Sequence, residues 1–282
     1  MAIPILKNWQ NYFTKNPNEG LGSSYERIVL NKKLIEIIKK YNCNSILEVP
    51  SFGFTGVSGI NSMFLSKQDY PVTIIDNDEK RTDLIKHVWE KVGLNAIIEY
   101  QKDFSKLKFS DNSFDMSWNF SALWFVNNLN KFLFELNRVT RRVILICVPN
   151  RSGLGYLSQK YFSSSDLKEH LNEKNIIPKN FIAILRKYNW KLANWNYIDC
   201  PPWPDIGMGK EKFLELLHLN FLIRNKSTRN KKNENSCILD FYKGNKPSFG
   251  NEMLKYSWLE KIAPKFIKYF WAHHKYFLFI KN

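Results

Sequence analysis

No run in this 282-residue chain approaches the roughly 18 apolar residues that a membrane-crossing helix needs. The apolar stretch behind Met1 is also too short for the core of a secretion signal. Both absences point to a soluble, cytoplasmic protein, with peripheral attachment to a membrane left open. Cysteine is sparse: Cys43, Cys147, Cys200 and Cys237 stand far apart, without CxxC or Cys/His spacing. That excludes a disulfide framework and a zinc ribbon, and it predicts reduced thiols and no bound metal. Acidic residues are the minority, 26 against 42 Lys and Arg, for a formal charge of +16. The imbalance lies mostly after residue 150, where 23 basic residues face 11 acidic ones, against 19 and 15 before it. A basic second half suits anionic partners such as nucleic acid, a phospholipid surface or a phosphorylated molecule, or else reflects a Lys- and Asn-rich composition without a partner. Disorder is excluded by what is plentiful: the chain is 44% hydrophobic and 15% aromatic.

Short apolar runs alternate with helical patterns along the first 200 residues. Ile28, Leu34, Ile35 and Ile38 recur at helical spacing between lysines, which predicts an amphipathic helix over 24–41. Strands are predicted at 45–49, 72–76, 96–100, 114–120 and 143–148, with helices at 60–66, 78–92 and 127–140 between them. Acidic residues open the helix at Asp78 and Gly93 ends it. Such alternation implies right-handed crossovers and a parallel sheet covered on both faces. Further on, Ser163–Asp166 offers helix caps, 181–188 reads as helix and 191–199 as strand. Prolines 201, 202 and 204 then force an irregular connection. Helices are expected at 210–224 and at 251–272, the latter broken by Pro264, with an exposed basic loop at 225–235 between them and a last strand at 276–280. No internal repeat is visible.

The most informative stretch runs from Ser45 to Gly59 and on to Val72–Asp76. Two short apolar runs each end in a carboxylate, Glu48 and Asp76, and the first opens into a loop carrying Gly53, Gly56 and Gly59. On a parallel sheet the two carboxylates would stand side by side at the carboxyl ends of neighbouring strands, where open α/β sheets bind ligands. Glycines there let backbone approach a ligand closely and adopt positive φ.

These residues, with Asp103-Phe104 after the third strand and Asp111-Asn-Ser-Phe-Asp115 before the fourth, resemble the class I S-adenosylmethionine-dependent methyltransferases. The resemblance runs from about Ser24 to Tyr156, and the closing stretch 272–281 is similar to the family's last, antiparallel strand, so that roughly two thirds of the chain is covered. It implies an α/β, Rossmann-like fold: a mostly parallel seven-stranded sheet with helices on both faces, an antiparallel last strand and a helical insertion. Residues 1–44 are then an N-terminal helical segment, 45–200 with 272–282 the sheet domain, and 201–271 the insertion, a candidate substrate cap. The implied cofactor is S-adenosylmethionine. Glu48, Gly53 and Gly56 would border its methionine part; Asp76 and Asn77 its ribose; Asp103 and Phe104 its adenine; Asn119 and Phe120 the departing methyl group. The loop departs from the family pattern, with Pro50 and Phe52 where glycines are usual. No GxGxxG follows the first strand, which separates the chain from the dinucleotide-binding folds.

Each of these residues has a plainer reading. Glu48 and Asp76 suit helix caps, Phe104 suits the core and Asp115 suits a turn; Tyr25 and Arg27, placed ahead of the sheet to close over the cofactor, suit better a packed helix with a solvated arginine. Methyl transfer needs alignment and exclusion of water more than a base, so no catalytic residue is obligatory. His218, His273, His274 and Tyr156 are the candidates, each equally able to be structural. An Asn/Asp-Pro-Pro-aromatic signature is absent after the fourth strand, where Asn119-Phe-Ser-Ala122 stands. Aromatic residues in the insertion, Trp203, Phe213, Phe221, Trp258 and Phe270 among them, lie near Lys255, Lys261, Lys265 and Lys268. They suit a small-molecule or lipid-like acceptor at an anionic membrane surface, RNA held by Lys226–Lys232, or the insertion's own core. A non-catalytic binding partner of the same fold is the remaining alternative.

Overall fold

The computed structural model describes residues 9–14, 19–53, 56–162, 171–203 and 237–281, apart from the side chains of Thr14, Phe162 and Cys237. The helix expected at 210–224, His218, the caps at 163–166 and the basic loop lie outside them.

Seven strands form one sheet: β1 (Ile46–Glu48), β2 (Val72–Asp76), β3 (Ile97–Tyr100), β4 (Phe114–Phe120), β5 (Thr140–Pro149), β6 (Trp190–Ile198) and β7 (His274–Lys281). Their order is β3-β2-β1-β4-β5-β7-β6. All pairings from β3 to β5 are parallel, and β7 runs antiparallel between β5 and β6. The fold class expected from the alternating pattern is the one observed. Chain order reverses between β1 and β4, so the carboxyl ends of these two strands border the crevice in which such sheets bind ligands. Because β7 is antiparallel, its first residue, His274, arrives at this same end, opposite Pro149 of β5 and Ile198 of β6.

Both faces of the sheet are covered, which is why the central strands are apolar throughout. On one face Ile46, Ile74, Met116, Trp118 and Leu145 pack against α2 (Gly20–Tyr41) and α4 (Glu79–Val92). On the other, Leu47, Ile75, Ile144 and Ile146 meet α5 (Leu129–Val139) and α7 (Pro178–Lys187). Asp78 caps α4 by accepting from the Arg81 amide at 2.9 Å, and Gly93 closes it at φ 78°. The helix expected at 60–66 shrinks to α3 (Met63–Ser66), after a turn at Gly59, whose φ of 70° and whose place beside Ile85 leave no room for a side chain. Strand β5 starts earlier than its apolar run, since Arg141 and Arg142 pair with the buried Asp115 instead of ending the strand. Asp115 is therefore an ionic clamp and also accepts from the Asn44 amide.

The expected helix at 251–272 is a chain of short pieces: α9 (Phe249–Leu254), α10 (Trp258–Ile262) and α11 (Lys265–Trp271), with Pro264 leading into the last. Three helices went unforeseen: α1 (Asn11–Thr14), α6 (Leu154–Phe162) and α8 (Cys237–Lys243). Ile238, Tyr242, Phe249 and Met253 from α8 and α9 belong to the same apolar cluster as α2, and Asn31 donates to the Tyr242 hydroxyl.

Candidate functional site

The two carboxylates stand where the pattern placed them, at the carboxyl ends of adjacent parallel strands, and both are buried. Glu48 accepts from Asn61 Nδ2 at 3.1 Å and from Ser62 Oγ at 2.6 Å. Burial outweighs these donors and pushes its carboxyl up to about 7.

Asp76 is filled. Its Oδ1 accepts from Arg81 Nη2 at 2.6 Å and from the Asp78 amide at 2.9 Å; its Oδ2 accepts from Arg81 Nε at 2.9 Å and from Ser51 Oγ at 2.5 Å. A carboxylate offers about four lone-pair positions. All are occupied here, so the expected contact with a ribose has no acceptor left. The Arg81 guanidinium lies 3.9 Å from the centre of the Phe52 ring and 5.2 Å from that of Trp9. Phe52, where a glycine is usual, thus holds the arginine that occupies Asp76. Asn77 is exposed and its Oδ1 touches Arg81 Nη2 at 3.1 Å.

The loop after β1 is fixed from two sides. A Cβ on Gly53 would stand 2.4 Å from the carbonyl oxygens of Phe120 and Ser121, so only glycine lets the loop lie directly on the end of β4. Gly56, at φ 136°, faces the carboxylate of Glu19. Glu19 accepts from the Val57 amide at 2.6 Å and pairs with Arg27, which also donates to the Val57 carbonyl and to Asn61. The Arg27 and Glu19 side chains are both wholly buried. The expected solvated arginine on α2 is in fact the cation that anchors this loop.

Asp103 and Phe104 part ways. Asp103 is exposed, and hydrogen bonds from Ser105 lower its carboxyl below the usual range. Phe104 is buried edge-on against Phe132, a core residue in this structure. Asn119 is buried and donates to the Val49 carbonyl at 3.3 Å. Its Oδ1 has no hydrogen-bond partner, nor do the buried hydroxyls of Ser58 and Ser121; Ser121 sits at φ 50°. These atoms border the β1 loop and the end of β4.

Phe120 lies against His274, ring centres 4.5 Å apart and planes tilted by 50°. His273 and His274 are both buried: His273 Nδ1 is 2.7 Å from Asp199 Oδ2, and His274 Nδ1 is 2.9 Å from Glu26 Oε1. Tyr156 is buried in the opposite core cluster, and burial raises its phenol. Glu19, Glu26, Arg81 and Asp199 were missed by sequence reasoning. Only Arg81 left a local sign, an arginine in the first turn after a strand-end acid.

Comparison with known proteins agrees with this layout. Residues 54–146 match the family model described as a methyltransferase domain. No curated protein sequence matches the chain. Among solved structures, the MccD protein is 13% identical with a TM-score of 0.51, covering 90% of this chain and 96% of that one. A SAM-dependent methyltransferase from Aquifex aeolicus is 18% identical, TM-score 0.46, covering 62% and 87%. The [4+2]-cyclase SpnF is 12% identical, TM-score 0.49, covering 89% and 80%. At such identities structural likeness concerns the fold alone. The matched segment runs from the β1 loop into β5, so that this part of the chain is similar to a methyltransferase domain, and the strand order is that of a Rossmann-like sheet.

Proposed function

We propose that the chain is an S-adenosylmethionine-dependent methyltransferase in which Arg81 gates the cofactor site by occupying Asp76. The observation behind this is the position of Arg81 between two carboxylates. It occupies Asp76, yet its Nη1 is already 3.9 Å from Oδ2 of Asp78, whose side chain is 41% exposed. As they stand, the residues around Asp76 do not fit a ribose. Rotation of the guanidinium toward Asp78 would exchange a buried partner for a surface one and return acceptor positions to Asp76. The other end is better suited to a polar ligand, with Ser58 Oγ, Asn119 Oδ1 and Ser121 Oγ buried and unpartnered. When bound, the cofactor supplies a methyl group on a sulfonium; the chain's own task is to align the acceptor and exclude water.

Opening a buried ion pair lowers the apparent affinity by the fraction of molecules that are open. Calorimetry with S-adenosylmethionine should therefore give weak binding for the wild type and binding at least about tenfold tighter for Arg81→Met, with thermal melts confirming that both are folded. Equal affinities would refute the gate. Absence of binding to either protein at millimolar ligand would refute the enzyme reading. It would favour the second reading, which the saturated Asp76 also supports: a protein of this fold that has no cofactor and acts as a binding partner.

For the acceptor we propose a small or lipid-like molecule, with 201–271 as a cap. Ile262, Phe266 and Phe270 are 72%, 69% and 53% exposed, among Lys261, Lys265 and Lys268. Apolar side chains flanked by lysine suit an anionic interface. Co-sedimentation with phosphatidylglycerol vesicles should exceed that with phosphatidylcholine and fall with salt; equal binding to both would count against it. The rival RNA surface, Lys226–Lys232, lies outside the described residues.

A further inference from the structure

Behind Phe120, three chain segments bring a carboxylate from α2, a carboxylate from the end of β6 and an imidazole from the start of β7 into one buried cluster. Glu26, Asp199 and His274 are 3%, 2% and 1% exposed. Each offers a ligand atom, and these atoms lie within 4.8 Å of one another. We infer that Glu26, Asp199 and His274 bind one divalent first-row cation of the zinc, iron(II) or manganese class, with His273 orienting Asp199 from outside.

Spacing supports this. His274 Nδ1 is 2.9 Å from Glu26 Oε1 and 3.6 Å from Asp199 Oδ2. Metal bonds of about 2.1 Å meeting at octahedral or tetrahedral angles set neighbouring ligand atoms about 3.0 to 3.4 Å apart.

Unmet hydrogen bonding supports it independently. Although His274 Nδ1 is close to Glu26, the pair lacks hydrogen-bond alignment: Nδ1 and Nε2 of His274, Glu26 Oε1 and Asp199 Oδ1 are all buried without a partner. A cluster held only by protons would direct an N–H at an acceptor, because leaving a buried polar atom unmet is costly. A cation instead takes lone pairs from every side. Two carboxylates and a neutral imidazole also balance a charge of +2, and one nitrogen with two oxygens is a donor set for borderline metals rather than for calcium or copper(I).

The surroundings form a second layer. His273 Nδ1 contacts Asp199 Oδ2 at 2.7 Å, the usual role of a group that fixes a ligating carboxylate. Beyond it, Glu260 accepts from the Tyr25 hydroxyl at 3.0 Å and from the Cys200 amide at 3.4 Å. The site would tie α2 to the β6–β7 junction beside the end of β4. Its ligands lie 75 residues or more apart along the chain, so spacing motifs could not disclose it.

The test uses the full chain, stripped with EDTA and titrated with Zn(II) by calorimetry and with Co(II) by visible absorption. Expected are one equivalent bound, a Co(II) band indicating nitrogen and oxygen ligands, and binding at least about tenfold weaker in Asp199→Asn and His274→Gln, with His87→Ala unchanged. Lack of saturable binding to the folded wild type would overturn the site. So would affinity retained in Asp199→Asn and His274→Gln but lost in His218→Ala or Cys237→Ala, which would place the metal elsewhere.

Discussion

Asp76→Ala is expected to lower the free energy of unfolding by about 3–5 kcal/mol, because it leaves the Arg81 guanidinium buried without its anion. The side chain of Arg81 is only 5% exposed and that of Asp76 is 0% exposed, so solvent screening does little to soften the loss. Arg81 would keep Asn77 and the more distant Asp78, which places the value toward the lower end. A carboxylate that merely capped α4 would cost about 1 kcal/mol, but Asp78 already fills that role. Urea denaturation of Asp76→Ala, Arg81→Met and the double variant measures the coupling. The double variant should recover most of the loss. A loss near 1 kcal/mol in Asp76→Ala, or additive effects in the double variant, would show that the pair is not the anchor it resembles.

Glu48→Gln should stabilise the protein at pH 8 and leave it nearly unchanged at pH 4.5. Burial lifts this carboxyl from an ordinary 4.5 to about 7. The native state therefore holds a proton between those pH values that the unfolded chain has released, and stability falls as pH rises through that window. The shift corresponds to about 3 kcal/mol, which glutamine avoids because it has the same shape and no charge to bury. With its amide oxygen toward Asn61, the glutamine keeps that hydrogen bond, and its NH2 donates to the Ser62 hydroxyl, which can accept as well as donate. Thermal unfolding of both proteins from pH 4.5 to 8 gives the comparison. Parallel curves would mean that Glu48 ionises normally in the folded state.

The frame of the fold was legible because its strands are short, apolar and punctuated. Val72–Asp76 and Phe114–Phe120 appear with the boundaries their patterns predict. Thr140–Arg142 did not read as strand, because the reason two arginines tolerate β5 lies in Asp115, a strand away. The site was legible by position and not by state. Glu48 and Asp76 can be found at strand ends from periodicity alone. Whether Asp76 is open depends on Arg81 five residues later, and on an aromatic ring at Phe52 that looks from sequence like a lost glycine. Phe104 reads equally well as core or platform until Phe132 is seen against it. Glu26, Asp199 and His274 come from three regions of the chain, and no local pattern joins them.

The ionic anchor on the β1 loop bears on where this protein begins as a folding unit. The family match starts at residue 54, and the first strand at Ile46. Yet the loop amide at Val57 is satisfied by Glu19, which also pairs with the buried Arg27. A chain trimmed to Ser24 would keep every strand and take this carboxylate from both the loop amide and the Arg27 guanidinium. The loop that borders the ligand crevice is thus shaped from outside, by Glu19 and Arg27 at the start of the leading helix, as well as by its own glycines.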